Sequence, residues 1–171
     1  MKKLAFLIPL LIASPAFAHG GHGAEAGLAA GLLHPLTGFD HLAAMMAAGL
    51  AASSFRSKFA AGLAAAFLAA MAGGFAVALG GVALPAVEGM ILLSVAVIAG
   101  LALLPQRYPA SLALFAGFAL FHGHAHGLET SGDPASFALG FLVTSATLIA
   151  TGFLAGRLLR RASPVLLPAI R

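Results

Sequence analysis

Long apolar segments separated by short polar breaks make up most of the chain. Five segments are long enough to cross roughly 30 Å of hydrocarbon as helices of about 20 residues. They are residues 27–52, 59–79, 86–104, 109–129 and 135–157. The breaks SSFRSK, GGVALP, PQRYP, TSGDP and RLLRRAS contain the Gly, Pro, Ser or charged residues that mark element boundaries. The pattern predicts an all-α fold, a polytopic transmembrane helical bundle with about five spans.

The first 18 residues, MKKLAFLIPLLIASPAFA, have the features of a secretory signal peptide. Two lysines precede a short apolar segment, and the final AFA fits the small-x-small cleavage rule. An uncleaved anchor helix is the alternative, which the two prolines and the short apolar segment disfavour. We therefore predict a cleaved signal peptide (1–18), a short His- and Gly-rich periplasmic N-terminus (19–26), the transmembrane bundle (27–161) and a cytoplasmic tail (162–171).

Composition and charge agree with a membrane protein. Hydrophobic residues make up 61% of the chain and charged residues 8%, which is more apolar than a soluble domain. The pI is about 10.4, but the basic residues lie in short loops rather than in a stripe, so we expect no nucleic-acid partner. With no cysteine in the sequence, disulfides and thiolate metal sites are excluded.

The basic residues also predict the orientation of the bundle. Lys and Arg collect on the cytoplasmic side of membrane proteins. Here they follow the first, third and fifth predicted spans: Arg56, Lys58, Arg107, Arg157, Arg160 and Arg161. The other two loops have none. We therefore expect a multi-pass protein of the bacterial inner (plasma) membrane, with the mature N-terminus in the periplasm and the lipid bilayer as its surroundings.

Ionisable residues inside the predicted spans form two groups, and such residues are costly in a membrane and therefore functional candidates. The first group lies in HPLTGFDH and the second in FHGHAHGLE: His34, Asp40 and His41, then His122, His124, His126 and Glu129. On a helix, His122, His126 and Glu129 share one face, while His124 points roughly the other way. Because the first span runs inward and the fourth outward, His34 and His122 are both expected roughly 10 Å below the outer surface. The two groups should therefore meet.

Imidazole nitrogens and carboxylate oxygens without thiolates suit a borderline divalent ion such as Ni²⁺, Co²⁺ or Zn²⁺. Asp40 is either a ligand or the acceptor that fixes a histidine tautomer. His124 fits an interhelical hydrogen-bond donor, and breaks at Pro35 or Gly38 would re-aim the first group. Weaker metal-binding candidates outside the two groups are His19 and His22 near the mature N-terminus and Glu88 at the outer end of the third span.

Both motifs resemble a known family. HPLTGFDHLAAMMAAGL is similar to the HPLxGxDHxLAMxAVG signature of the HupE/UreJ family, and FHGHAHGLE is similar to its HGxAHGxE motif. Members are regarded as nickel or cobalt permeases that supply hydrogenase or urease maturation. The resemblance implies a permease for Ni²⁺ or Co²⁺, not an enzyme, with the ion as cargo and no permanently bound cofactor. It implies these transport-relevant residues: His34, Asp40, His41, His122, His126 and Glu129.

The sequence departs from the family pattern at two points. Members usually have a sixth span, which is not among the five predicted before Arg171, and Ile149 stands where we expect a histidine in the fifth span. The expected consequence is a site with fewer ligands, or one completed by a partner subunit or a second copy in a homo-oligomer.

Three other functions fit parts of the pattern. A haem-binding membrane protein would use histidines on different spans as axial ligands and would show a Soret band. A non-transporting accessory protein would bind metal without flux. A hydrolytic metalloenzyme is disfavoured because HExxH is absent, and the absence of GxxxxGK[ST] argues against ATP hydrolysis by this chain.

Overall fold

The computed structural model describes residues 24–104 and 107–162, and this part of the chain is entirely helical. Its helices are α1 Ala24–Thr37, α2 Phe39–Ala52, α3 Ser57–Leu79, α4 Val87–Leu103, α5 Tyr108–Leu128 and α6 Pro134–Ala162. The predicted all-α class is confirmed. Two helices, α3 and α6, are long and apolar enough to cross a membrane, and α2 and α4 are shorter apolar helices. The predicted signal peptide lies outside the described residues.

The first predicted span is divided into two helices. α1 continues through Pro35 and ends at Thr37, Gly38 has an extended backbone, and α2 begins at Phe39. Pro35 has no N–H to donate along the helix, yet the Gly38 N–H still donates to the His34 carbonyl at 3.3 Å. The break therefore falls at Gly38, between the two histidines of the first motif.

Glycines allow the helices to pack backbone against backbone. α3 lies on α5, α1 and α2 both lie along α6, and α4 packs against α2 and α5. A Cβ at Gly74 of α3 would collide with the carbonyl of Leu120, and one at Gly123 of α5 with the carbonyl of Met71. The same arrangement occurs where α6 packs on α1, at Gly31 and Gly140, and where α6 packs on α2, at Gly49 and Gly152. A Cβ on any of these glycines would collide with the backbone of the opposite helix. Such close approach is typical of helix packing in lipid.

One end of the bundle is basic. Arg157 donates to the Phe55 carbonyl at 2.8 Å, and the rings of Phe55 and Tyr108 lie 5.7 Å apart, so three helix ends meet here. All described Lys and Arg residues lie in these end segments: Arg56, Lys58, Arg107, Arg157, Arg160 and Arg161. Three acidic residues lie toward the opposite end: Glu88, Glu129 and Asp133. The charge of the bundle is therefore strongly asymmetric.

Asp133 begins α6 at the acidic end. Its carboxylate accepts the backbone N–H of Ser136 at 2.7 Å, and Pro134 is the first helical residue. An N-cap aspartate followed by proline is a favourable helix start. Hydrogen bonds from the Ser136 hydroxyl and backbone N–H lower the pKa of the exposed Asp133 carboxyl.

Arg160 connects three helices at the basic end, and it is buried. Its guanidinium donates to the Ser53 hydroxyl at 2.9 Å and to the carbonyls of Leu50 and Ala102, each at 3.3 Å. These two carbonyls belong to the last turns of α2 and α4, where intrahelical donors are missing. Arg160 therefore supplies a donor to both carbonyls, at Leu50 in addition to the Ser53 hydroxyl, and fixes both helix ends to α6.

We expect Arg160→Met to destabilise the bundle by about 2–3 kcal/mol, because the buried hydrogen bonds from the guanidinium to the Ser53 hydroxyl and the Ala102 carbonyl are lost. The check is the thermal unfolding midpoint of the purified protein in detergent. Arg161→Met is the matched control, because Arg161 is the exposed neighbour on the same helix. Equal midpoints for the two variants would contradict the anchoring role of Arg160.

Candidate metal site

Four histidine rings from three helices lie in one continuous row. The ring centres of His34 and His126 are 4.8 Å apart, those of His126 and His41 are 4.6 Å apart, and those of His41 and His122 are 4.8 Å apart. We call His34, His126, His41 and His122 the histidine row. The two helices on either side of the break at Gly38 thus bring the histidines of the first motif against those of α5.

Two carboxylates contact the histidine row, each at a different ring. Glu129 Oε2 lies 2.9 Å from His34 Nε2, and Asp40 Oδ1 lies 2.9 Å from His41 Nδ1. The side chain of Glu129 is 55% exposed and that of His34 13% exposed, whereas His126 and His122 are fully buried. The row therefore extends from the surface at Glu129 into the interior.

The buried rings have nitrogens without hydrogen-bond partners. They are Nε2 of His41, Nδ1 of His122, and both ring nitrogens of His126. A buried polar atom without a partner costs about 1–3 kcal/mol, and most buried polar atoms have one. Neutral imidazole always has one unprotonated nitrogen. The adjacent rings of His126, His41 and His122 thus offer unprotonated nitrogens that can bind a transition-metal ion.

The spacing of the rings fits two histidines that bind the same ion, but the described residues do not form a complete set of ligands. Two imidazoles that bind one ion at about 2.1 Å have ring centres roughly 4.5–5.2 Å apart, and the observed 4.6 and 4.8 Å lie in this range. Within the described residues, no three His, Asp or Glu side chains form a complete metal site. The rings meet edge to face, at 60° and 90°. Binding therefore requires them to turn about their side-chain torsions.

Aromatic side chains surround the row. His126 stacks on Phe141 at 4.6 Å, and His34 lies 5.6 Å from the ring of Phe137. Toward the basic end, the ring of Phe67 is 6.5 Å from His122 and 6.3 Å from Phe115. Phe67 and Phe115 are buried in the apolar core. The packing of Phe67 and Phe115 therefore closes the row toward the basic end, and we call these two residues the inner plug.

The weaker candidates lie apart from the row. His124 is buried, and its Nε2 donates to the Val82 carbonyl at 2.8 Å. It is a hydrogen-bond donor, as the sequence suggested, but its acceptor lies in the loop between α3 and α4 rather than on another helix. Glu88 is exposed in the first turn of α4 and is not among the described contacts of the row. His19 and His22 lie outside the described residues.

Two further residues bear on the site. Ser94 of α4 lies 2.8 Å from Nε2 of His122 and was not predicted as a site residue. The signal was available, because Ser94 is the only hydroxyl residue in the apolar sequence of α4. Ile149, which stands where we expected a histidine, is buried in the apolar core, and its backbone carbonyl lies against Gly49 of α2.

Comparison with known proteins agrees with the resemblance in both motifs. The family model described as HupE / UreJ protein matches residues 6–170, which include every described residue. Protein HupE of Rhizobium leguminosarum bv. viciae is 39% identical over 155 residues, covering 88% of the present chain and 81% of that relative. No solved structure matches at a significant level.

Proposed function

Because the chain belongs to the HupE/UreJ family, we propose that it is an inner-membrane permease for a divalent transition-metal ion. Members of this family are membrane accessory or transport proteins rather than enzymes. The proposed cargo is Ni²⁺, with Co²⁺ as the second candidate. The ion would supply the assembly of a hydrogenase or urease metallocentre.

The histidine row is the observation that supports this proposal. Nitrogen and carboxylate donors suit Ni²⁺ and Co²⁺, and the buried rings present nitrogens that have no protein partner. Glu129 is exposed at one end of the row and His122 is buried at the other. The nitrogen and carboxylate ligands thus extend from an exposed end to a buried end, rather than forming a single enclosed structural site.

The change from exposed to buried ligands along the row explains how the ion would be captured and moved inward. The carboxylates of Glu129 and Asp40 attract a dication, and imidazoles then replace part of its hydration shell. Incomplete ligand sets bind weakly enough for the ion to leave. A dication moving down an inside-negative potential gains roughly 4.6 kcal/mol per 100 mV. Passage beyond His122 requires Phe67 and Phe115 of the inner plug to separate.

The proposed topology has five crossings, with α1 and α2 together forming the first. The apolar α3 and α6 support membrane insertion. The collection of Lys and Arg at one end of the bundle supports a cytoplasmic position for that end. Glu129 and His34 then face the periplasm, together with the mature N-terminus.

A non-transporting metal-binding accessory protein is the second candidate function. The inner plug favours it, because apolar packing lies where a continuous polar path would be needed, and Ile149 supplies no ligand where a histidine was expected. A partner subunit or a second copy would then receive the ion. Haem binding is disfavoured, because rings in edge-to-face contact at 4.6–4.8 Å leave no gap for a porphyrin plane between them.

Radiolabelled nickel accumulation in cells distinguishes these functions. Cells expressing the wild-type chain should accumulate nickel above empty-vector cells, and excess cobalt should compete more strongly than zinc. Purified protein in proteoliposomes should bind nickel and also release it into the lumen. Uptake equal to empty vector, with the protein present in the membrane, would contradict the permease. Binding without flux would then select the accessory function.

A further inference from the structure

Ser94 lies at the buried end of the histidine row and is fixed there by two hydrogen bonds. Its hydroxyl donates to the Ile91 carbonyl at 2.6 Å and lies 2.8 Å from Nε2 of His122. Ser94 and His122 are both fully buried. The geometry of this pair determines which His122 nitrogen holds the proton.

The short contact with Ile91 decides the proton positions. Two oxygens 2.6 Å apart need a proton between them, and a carbonyl has none, so the Ser94 hydroxyl proton points to Ile91. The Ser94 oxygen can then only accept from His122. His122 must therefore have its proton on Nε2 and its lone pair on Nδ1, the nitrogen that has no partner.

His41 has the opposite arrangement. A carboxylate only accepts, so the 2.9 Å contact with Asp40 requires a proton on Nδ1 of His41. The lone pair of neutral His41 is then on Nε2, which has no partner. Neighbouring rings in the row thus present different nitrogens, each selected by a hydrogen bond to the other nitrogen of the same ring.

We propose that Ser94 is a positioning residue that holds His122 as its Nε2–H tautomer, so that His122 binds the ion through Nδ1 while His41 binds it through Nε2. The ligand part of this proposal rests on the proposed function. Hydrogen bonds to the distal nitrogen of a metal-binding histidine fix its tautomer and ring orientation. Nδ1 lies closer to the backbone than Nε2, so His122 would hold the ion near α5.

The first test is ¹⁵N NMR of histidine-labelled, metal-free full-length protein in detergent, which reports the tautomer of each ring. Wild-type His122 should show the Nε2–H pattern. Ser94→Ala should convert it into a mixture of both tautomers, and Ser94→Thr, which keeps the hydroxyl, should retain it. Ser145→Ala is the matched control, because the buried Ser145 hydroxyl has no hydrogen-bond partner. An Nδ1–H pattern in wild-type His122 would overturn the proposal whether or not any variant folds.

The second test is nickel titration of the same four proteins. Ser94→Ala should bind nickel about 10- to 100-fold more weakly, whereas Ser94→Thr and Ser145→Ala should bind like wild type. A changed tautomer with unchanged nickel affinity would overturn the positioning role. Wild-type protein with the expected tautomer but no nickel binding would overturn the proposed function and the ligand part of this proposal, while supporting the tautomer assignment.

Discussion

Replacing Gly123 by alanine should separate α3 from α5 and destabilise the protein by about 3 kcal/mol or more, at the upper end of the usual cost of overpacking. The added Cβ would collide with the carbonyl of Met71, which is backbone and has no alternative rotamer to adopt. The reciprocal contact at Gly74 prevents α3 from sliding aside. The helices can only move apart, and α5 would take His122 and His126 with it.

The check is the folded fraction and the thermal unfolding midpoint in detergent, compared with two alanine controls. Gly117 on α5 and Gly73 on α3 have open space around a Cβ. Because alanine is favoured over glycine in a helix interior by roughly 1 kcal/mol, Gly117→Ala and Gly73→Ala should be as stable as wild type or slightly more so. A Gly123→Ala protein as stable as these controls would show that the two backbones do not touch.

Most helix boundaries were predictable because apolar length and the Pro and Gly breaks determine them. The predicted spans 59–79, 86–104 and 109–129 differ by at most two residues at either end from α3, α4 and α5. The fifth was predicted to end at 157, but α6 continues to Ala162. Its last turn contains Arg160, whose long side chain reaches back to the carbonyls of Leu50 on α2 and Ala102 on α4. Hydropathy contains no information about such contacts.

The meeting of the two motifs was predictable in part. Helix periodicity and equal depth in the membrane predicted that the two groups meet, and the structure has both in one row. The pairing differs from the prediction: His122 lies against His41, at 4.8 Å, and His34 lies at the opposite, more exposed end of the row, beside His126. The partners of individual nitrogens were not predictable, because they depend on which helices pack together. Ser94 contacts His122 only because α4 lies against α5, and no residue spacing within one helix specifies that pairing.

Removing the imidazole of His126 should reduce nickel accumulation to the empty-vector level. His126 is the ring between His34 and His41, at 4.8 and 4.6 Å, so its loss divides the row into two parts. Loss of a hydrogen-bond partner of a ligand usually costs 10- to 100-fold in metal affinity, so loss of a ligand should cost more than about 100-fold. Because neither ring nitrogen has a protein partner, His126→Ala breaks no hydrogen bond.

His124→Ala is the matched control for this prediction. His124 is two residues away and as deeply buried, but its ring donates to Val82 rather than joining the row. Its removal deletes the hydrogen bond to the exposed Val82, so stability should fall by about 1 kcal/mol, with nickel affinity nearly unchanged. Calorimetric nickel binding and unfolding midpoints of both variants separate the two effects. Nickel affinity lost in His124→Ala and kept in His126→Ala would show that the ion follows a path outside the histidine row.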